Sequence, residues 1–402
     1  MSSRIGCVRG VVVGGLAFTL ACFGLVVGSR ADWSFRGLGT LGRQASSAYA
    51  VSANGSVVVG ATTDASARRS AFRWQDGVMV DLGTPPTNPF PETWPAGVSA
   101  DGTVVIVVAG FVAYGQVYRW ENGYTVELYT GPWLPGDARA TGVSADASVV
   151  VGYLPVKWTE GNRLLWTATR WQQSALGPVQ YSRDLLRPDV DGQQSYAYGV
   201  SSDGLVVVGA ASGLEGYWPS QAFRWVDGTA VGLGTLGGPS STAYAASADG
   251  SVIVGRADTT DGVTEAFRWQ EGRMFALGMP PGDWAGASAT GVSADGAIIV
   301  GHAWTADGND ASAVEPFIWD EAHGTRSFTE LLTQNGIDLT DWDLRDADIS
   351  ADGRVIVGNG YHISLDRQEA WIVTIPEPST PAGLATLAAA LLLAHFWRKR
   401  KR

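Results

Sequence analysis

Eight tryptophans stand outside any repeated strand of the sequence: Trp94, Trp133, Trp158, Trp166, Trp218, Trp284, Trp304 and Trp342. Carboxylates accompany them at Glu92, Asp137, Glu160, Asp283 and Asp341. An indole face stacks on the apolar face of a sugar ring, and nearby carboxylates accept bonds from its hydroxyls, so the pattern suits carbohydrate binding. The same indoles would serve as plugs turned inward between sheets, because tryptophan is largely buried in folded proteins. Both readings stand at this level.

The other chemistry-bearing residues form weaker patterns. Serines recur at 52, 99, 144, 201, 247, 293 and 350, each in a phrase like Val98-Ser-Ala-Asp-Gly102. A nucleophile acts once, beside one base, so a serine written seven times is scaffold. Gly37-Leu-Gly-Thr-Leu-Gly42 and Gly232-Leu-Gly-Thr-Leu-Gly237 match the dinucleotide fingerprint. No helix follows either copy, so strand and turn glycines explain them. His302, His323 and His362 lack zinc-ligand spacing. Asp341, Asp343, Asp346 and Asp348 alternate closely but miss the spacing and glycine of a calcium loop. No metal and no cofactor is implied.

These residues ride on a repeat. The serines recur about every 46 residues, with two longer steps of 57, a period typical of radial or stacked repeat folds. In the fifth copy Ser241–Ser247 reads as a strand, Asp249-Gly250 as a hairpin turn and Ser251–Gly255 as a second strand. Ala266–Gln270 is a third strand, Glu271-Gly272 another turn and Met274–Leu277 a fourth. Asp-Gly between β-rich runs is a strong hairpin signal, because positive φ is needed there. No sustained helical periodicity interrupts the pattern. Ala147 replaces the turn glycine in the third copy; positive φ at alanine costs about 1 kcal/mol, so Ala147→Gly is expected to stabilise.

The fourth strand follows its third strand in six copies, as Asp81-Leu-Gly83, Glu127-Leu-Tyr129, Ala175-Leu-Gly177, Gly232-Leu-Gly234, Ala276-Leu-Gly278 and Glu330-Leu-Leu332. The seventh copy lacks it, and a spare stands at the front as Arg36–Gly42. A ring explains that permutation, since an N-terminal strand completes the last sheet and ties the circle shut. The expected fold is therefore an all-β, seven-bladed β-propeller, with an open β-solenoid as the alternative. Turns between strands one and two, and three and four, share one rim. The eight tryptophans all fall toward the other rim, where loops vary and function usually resides. An arginine in the third strand and an aspartate in the turn recur together, which reads as an ion pair or turn cap within each blade.

The two ends carry addresses. Arg4 and Arg9, an apolar run from Val11 to Val27 and Ser29-Arg-Ala31 read as a signal peptide over 1–31. Both cysteines, Cys7 and Cys22, lie inside it, so residues 32–375 hold no thiol. Residues 376–402 carry Pro376-Glu377-Pro378, one apolar span from Ala382 to Trp397 and five basic residues at the end, the pattern of a membrane-held tail with its positive side inside. Of the 28 basic residues eight lie in those ends, which leaves 20 against 39 acidic ones over 32–380, a net of −19. So acidic a body excludes nucleic acid and anionic membrane surfaces as partners.

The tail resembles the PEP-CTERM sorting signal of bacterial exosortase substrates. The repeat, through its Ser-Ala-Asp-Gly turn, Val-Val-Val-Gly strand, Ala-Phe-Arg-Trp strand and Leu-Gly-Thr-Leu-Gly, resembles the HAF family of extracellular repeat proteins over about 36–375. These resemblances imply export, transient anchoring in the inner membrane, cleavage near Pro376–Pro378 by an exosortase-type enzyme, and a cell-surface or extracellular destination. The expected function is a non-catalytic binding or structural component of the cell envelope or matrix, with extracellular polysaccharide as ligand. The alternative is a propeller-fold polysaccharide lyase or glycosidase. It needs two carboxylates, or a His with a Tyr, converging at the axial mouth, and Glu160, Glu215 and Asp283 are the carboxylate candidates.

Overall fold

The computed structural model describes residues 33–86, 91–111, 114–128, 138–157, 164–173, 181–185, 194–212, 220–306 and 314–376. The expected signal peptide, the sorting signal beyond Pro376, and Trp133, Trp158, Trp218, Asp137, Glu160 and Glu215 lie outside these residues. Among the described residues no helix is long and apolar enough to cross a membrane. Asp32–Pro378 forms one compact unit.

The unit is built from antiparallel meanders of four strands. The first runs Ala45–Val51, Val57–Thr63, Arg69–Gln75 and Val78–Asp81 in sequence order. Its second strand is buried on both faces, with Val57, Val58 and Val59 at 0% exposure. Such a run of β-branched residues fits a strand covered by sheets on either side. Val57 and Val59 pack on Val105 and Val107 of the next sheet. Gly60 ends the run because there is no space for a Cβ, which would lie 2.1 Å from the Ser47 carbonyl oxygen and 2.5 Å from the Phe72 ring.

The innermost strands are Ala45–Val51, Thr93–Val98, Arg139–Val143, Gln194–Val200, Gly237–Ala246 and Gly286–Val292, followed by a split pair, Trp342–Leu344 and Asp348–Ile349. Each of the six continuous ones carries a register shift in the same place, at Tyr49, Ala96, Thr141, Tyr198, Tyr244 and Thr290. A bulge inserts one extra residue and re-aims it.

The repeated serine is a turn cap. Ser99 Oγ accepts from the Val104 amide at 3.0 Å and donates to Asp101 at 2.6 Å, and Asp101 in turn accepts from the Thr103 amide at 3.0 Å. The turns also bond to one another. The amide of Ala53 donates to the carbonyl of Ala100, Ala100 to Ala145, Ala145 to Ser202, Ser202 to Ala248, Ala248 to Ala294 and Ala294 to Ala351, while Asp352 donates back to Ala53. The circle is closed a second time by Ser34–Gly37, which lies antiparallel on Arg367–Thr374 with Phe35 opposite Val373.

Three local expectations are corrected. Glu330-Leu-Leu332 is not strand but part of a helix, Phe328–Gln334, because Ser327 accepts from the Glu330 amide and starts a helical turn that buries Phe328 and Leu332. The fourth strand of the third repeat is Tyr181–Leu185, paired with Thr169–Gln173, so the intervening hairpin is longer than Ala175-Leu-Gly177 suggested. The recurring arginine reaches the next sheet rather than its own turn: Arg73 donates to the Gly102 carbonyl at 3.0 Å and Arg170 to that of Gly204 at 3.3 Å.

Turn glycines also meet the neighbouring sheet. Gly102 has φ +74°, and a Cβ there would lie 2.4 Å from Val57 Cγ2. Gly102→Ala is expected to lower stability by about 2–4 kcal/mol, the left-handed backbone penalty plus overpacking. Ala147 holds the same place with φ 56°, but its methyl group is fully buried in the core that contains Val104. Losing that contact offsets the backbone gain, so Ala147→Gly is expected to stay within about 1 kcal/mol of the parent. Urea midpoints would check both, and a stable Gly102→Ala protein would refute the close approach.

Candidate active site

The bulged residues converge. Tyr49, Ala96, Thr141, Tyr198, Tyr244 and Thr290 all line one central cavity of about 640 Å³. Two of them stitch neighbouring sheets, Thr141 Oγ1 donating to the Ala197 carbonyl at 2.8 Å and Thr290 Oγ1 to that of Ala347 at 2.6 Å. Of the tyrosines, Tyr244 bonds through its side chain to Thr242 and Arg256. A second set of side chains comes from the position just after the second-strand glycine, where the repeats read Ala61, Tyr153, Ala210, Arg256, His302 and Asn359. The polar members of this column cluster on one side of the ring.

His302 lines the central cavity, and its Nδ1 has no hydrogen-bond partner among the described residues. Burial, and then the charge of Arg256, hold its imidazole below the usual histidine range. It is therefore neutral near pH 7 and able to accept a proton. The Arg256 guanidinium lies 5.9 Å from the Tyr244 ring centre, and Tyr244 is 5.5 Å from Tyr198. Tyr198 is stacked near Tyr196 at 6.3 Å and meets Tyr153 edge-on at 6.4 Å. Burial, and then Tyr244, push the Tyr198 hydroxyl well up, and burial does the same for Tyr244 against the opposing pull of Arg256. Both phenols stay protonated and can donate.

Asp348 closes the same cavity. Burial pushes it up to about 7, with the Ile349 amide opposing and Asp346 adding to the rise. Asp346 is also raised by burial, but Asn359 steadies it through its side chain, at 2.9 Å, and its backbone amide. The four closely alternating carboxylates have separate partners: Asp341 bonds Ser364, Asp343 faces Arg345 at 3.3 Å, Asp346 holds Asn359 and Asp348 enters the cavity. Among the described residues no group of three or more His, Cys, Asp or Glu side chains could hold a metal ion.

Opposite titrations bound the stability. In the turns, bonds to the carboxylates lower Asp101, Asp146, Asp295 and, to about 2, Asp249. Their contribution is present above the unfolded value near 3.8 and is lost as pH falls through the lowered one. Asp348, raised, contributes below 3.8 and loses that contribution as pH rises through about 7. Asp348→Asn is expected to gain roughly 1–2 kcal/mol at about pH 8, discounted for solvent in the cavity, and little in mild acid. Thermal melts of both proteins at the two pH values would check this, and an equal shift at both would contradict a buried ionisation.

The sequence-expected tryptophans lie elsewhere. Trp94 sits 5.6 Å from Arg69, Trp166 meets Tyr153 edge-on at 5.5 Å, and Trp304 is 5.9 Å from His302. Trp284 donates to the Pro281 carbonyl at 3.1 Å, and Trp342 packs on Phe35 at 5.1 Å. All five are half-buried, in different parts of the ring, and none lines the central cavity. The Pro376 end of the expected sorting signal follows the last strand. Asp283 lies in the exposed loop before Gly286–Val292.

No protein-family model and no curated protein matches the sequence. Solved structures do. An oligogalacturonate lyase from Vibrio parahaemolyticus matches over 86% of this chain and 98% of its own, with a TM-score of 0.59 and 10% identity. The β-propeller domain of the Trilobed protease from Pyrococcus furiosus matches over 82% and 95%, with a TM-score of 0.52 and 10% identity. The fold is a β-propeller. The Pyrococcus propeller is described as having an open velcro topology, whereas here Ser34–Gly37 seals the ring. An oligogalacturonate lyase in complex with manganese matches over 87% and 98%, with a TM-score of 0.53 and 11% identity. The expected non-catalytic binding or structural role is corrected by these likenesses. The propellers that this chain resembles over 86% and 87% of its length include lyases, and its axial cavity is furnished with an imidazole, phenols and a carboxyl group of shifted basicity.

Proposed function

We propose that the chain is a seven-bladed propeller enzyme that cleaves an acidic polysaccharide by β-elimination in its central cavity. The turn-to-turn hydrogen bonds, which return to Ala53 from Asp352, support the blade number. The reading rests on one observation: His302, Tyr198, Tyr244 and Asp348 share a single cavity, with a neutral base beside protonated donors. His302 removes the proton on the carbon next to the uronate carboxyl group. The released electron pair forms a ring double bond, and the bond from the neighbouring carbon to the glycosidic oxygen breaks. A tyrosine hydroxyl, Tyr244 or Tyr198, protonates that oxygen, whose basicity as an alkoxide matches a phenol of raised pKa. Protonated Asp348 donates a hydrogen bond to the developing enediolate, the task for which a carboxyl group held neutral is suited. No water is consumed, and exchange with solvent resets the site by taking the proton from His302 and returning one to the tyrosine.

The ends of the sequence support export with transient anchoring and exosortase-type processing, which would place the enzyme where extracellular polysaccharide is found. Incubating the full chain with polygalacturonate, alginate and a neutral glucan tests the reaction. Ultraviolet absorbance of an unsaturated uronate from an acidic polymer is expected, and none from the glucan. Reducing ends released without unsaturation would instead indicate hydrolysis, and no product from any acidic polymer would reject the proposal.

A further inference from the structure

A smaller cavity of about 150 Å³ opens beside the central one, between the fourth and fifth sheets. Tyr198 and Tyr244 line both cavities and so form the partition between them. Behind that partition stand Tyr196, Arg256, Thr242, Ser212 and Ser220. We propose that this side cavity is a subsite for a single uronic acid residue, adjacent to the residue that reacts. The proposal rests on the lyase reading for its place in the reaction, but its recognition chemistry stands on its own.

The Tyr196 and Tyr198 rings are nearly parallel, 9° apart in plane, which gives the cavity an aromatic wall on which the apolar face of a pyranose can stack. Tyr196 is held in place through its hydroxyl, which donates to Gln194 at 2.8 Å. Arg256 supplies the one cationic side chain of the wall, on a body whose net charge is strongly negative. A carboxylate on the bound sugar therefore has one place to go. Ser212 is the second sign of a ligand: it is 7% exposed, and its Oγ has no hydrogen-bond partner among the described residues. A buried hydroxyl without a partner is costly, and a sugar hydroxyl would satisfy it. A volume of about 150 Å³ is on the scale of one sugar ring.

The consequence is a specificity rule. The enzyme would require a uronate next to the cleaved linkage, so that a polymer alternating uronate with neutral sugar is a poor substrate even though each uronate could react.

Titration calorimetry with free galacturonate and free galactose, which have no linkage to cleave, tests this on the full chain carrying His302→Ala. Galacturonate is expected to bind at least about tenfold more tightly than galactose, the discrimination of one charge-assisted contact. Arg256→Gln should erase the difference, and Tyr196→Ala should weaken galacturonate by about tenfold or more. Tyr196→Phe retains the stacking face, so it should bind nearly as the parent and shows that the alanine effect is not a loss of fold. Equal affinity for the two sugars, no binding of either, or binding indifferent to Tyr196→Ala would overturn the subsite. If galacturonate binds as expected while no acidic polymer yields unsaturated product, the subsite stands and the lyase reading falls. If unsaturated product forms but the calorimetric pattern is absent, the reverse holds.

Discussion

A chain that begins after Gly37 is expected to lose the cooperative unfolding transition of the propeller. Ser34–Gly37 is the only strand paired with the outer edge of Arg367–Thr374 among the described residues. Trp33 and Phe35 pack on the core of the last sheet, where Phe35 stands 5.1 Å from Trp342 and 6.2 Å from Trp371. Arg36 reaches across the seam, with its guanidinium 4.4 Å from the Trp74 ring of the first sheet. Each of these half-buried aromatics contributes about 2 kcal/mol, and a cation over an indole about 0.5–1 more. Together with the strand pairing, the loss approaches the whole stability of a typical domain, about 5–15 kcal/mol. The bared edge would also carry Trp371 and Val373, an apolar template for aggregation. Circular dichroism melts and sedimentation of the truncated chain would show it. An unchanged transition in a monodisperse protein would mean that the ring does not depend on this strand, and Phe35→Ala alone should already lower stability by about 2 kcal/mol.

That closure was legible because it changes the order of whole strands, which a linear repeat exposes. The turn phrase was legible for the same reason, as its serine and aspartate recur in hydrogen bonds that each copy needs. Face assignment was not. Alternation along Ser241–Ala246 does not show the register shift at Tyr244, whose ring lines the axial cavity as well as the side cavity that it shares with Thr242. His302 and Arg256 do not stand out in the sequence, because a histidine that meets a tyrosine at the axis has no fixed spacing to mark it and the recurring arginine lies in the third strand. Aligning the copies at the second-strand glycine would have exposed them, since the next column changes from alanine to arginine, histidine and asparagine where its neighbours stay apolar. The short helix had a readable start, Ser327 with Glu330 three residues on, but it lay where the repeat pattern already supplied a strand. The eight tryptophans vary most between repeats, yet their size makes them packing residues, and the groups proposed to react line the axial cavity, which no described tryptophan does.

His302→Gln is expected to lower kcat on an acidic polysaccharide by about 10²–10⁴-fold with little change in KM, the range for loss of a general base. Glutamine keeps much of the shape and a hydrogen-bonding end, so the ring should unfold as the parent does. The pH profile separates a base from a packing residue. His302 acts when neutral, and burial with Arg256 puts its pKa below 6.5, so the parent should keep its rate into mild acid before falling. Asp348 acts when protonated, and its pKa near 7 should bring the rate down on the alkaline side. The product is a bell with a mildly acidic optimum. Asp348→Asn keeps a donor that cannot ionise, so the alkaline limb should flatten while the acid limb remains. In His302→Gln the acid limb should vanish from the residual rate. Initial rates of double-bond formation across pH would test all three proteins. A His302→Gln enzyme within tenfold of the parent, with its acid limb intact, would remove His302 from the chemistry and leave the tyrosines and Asp348 to account for proton removal.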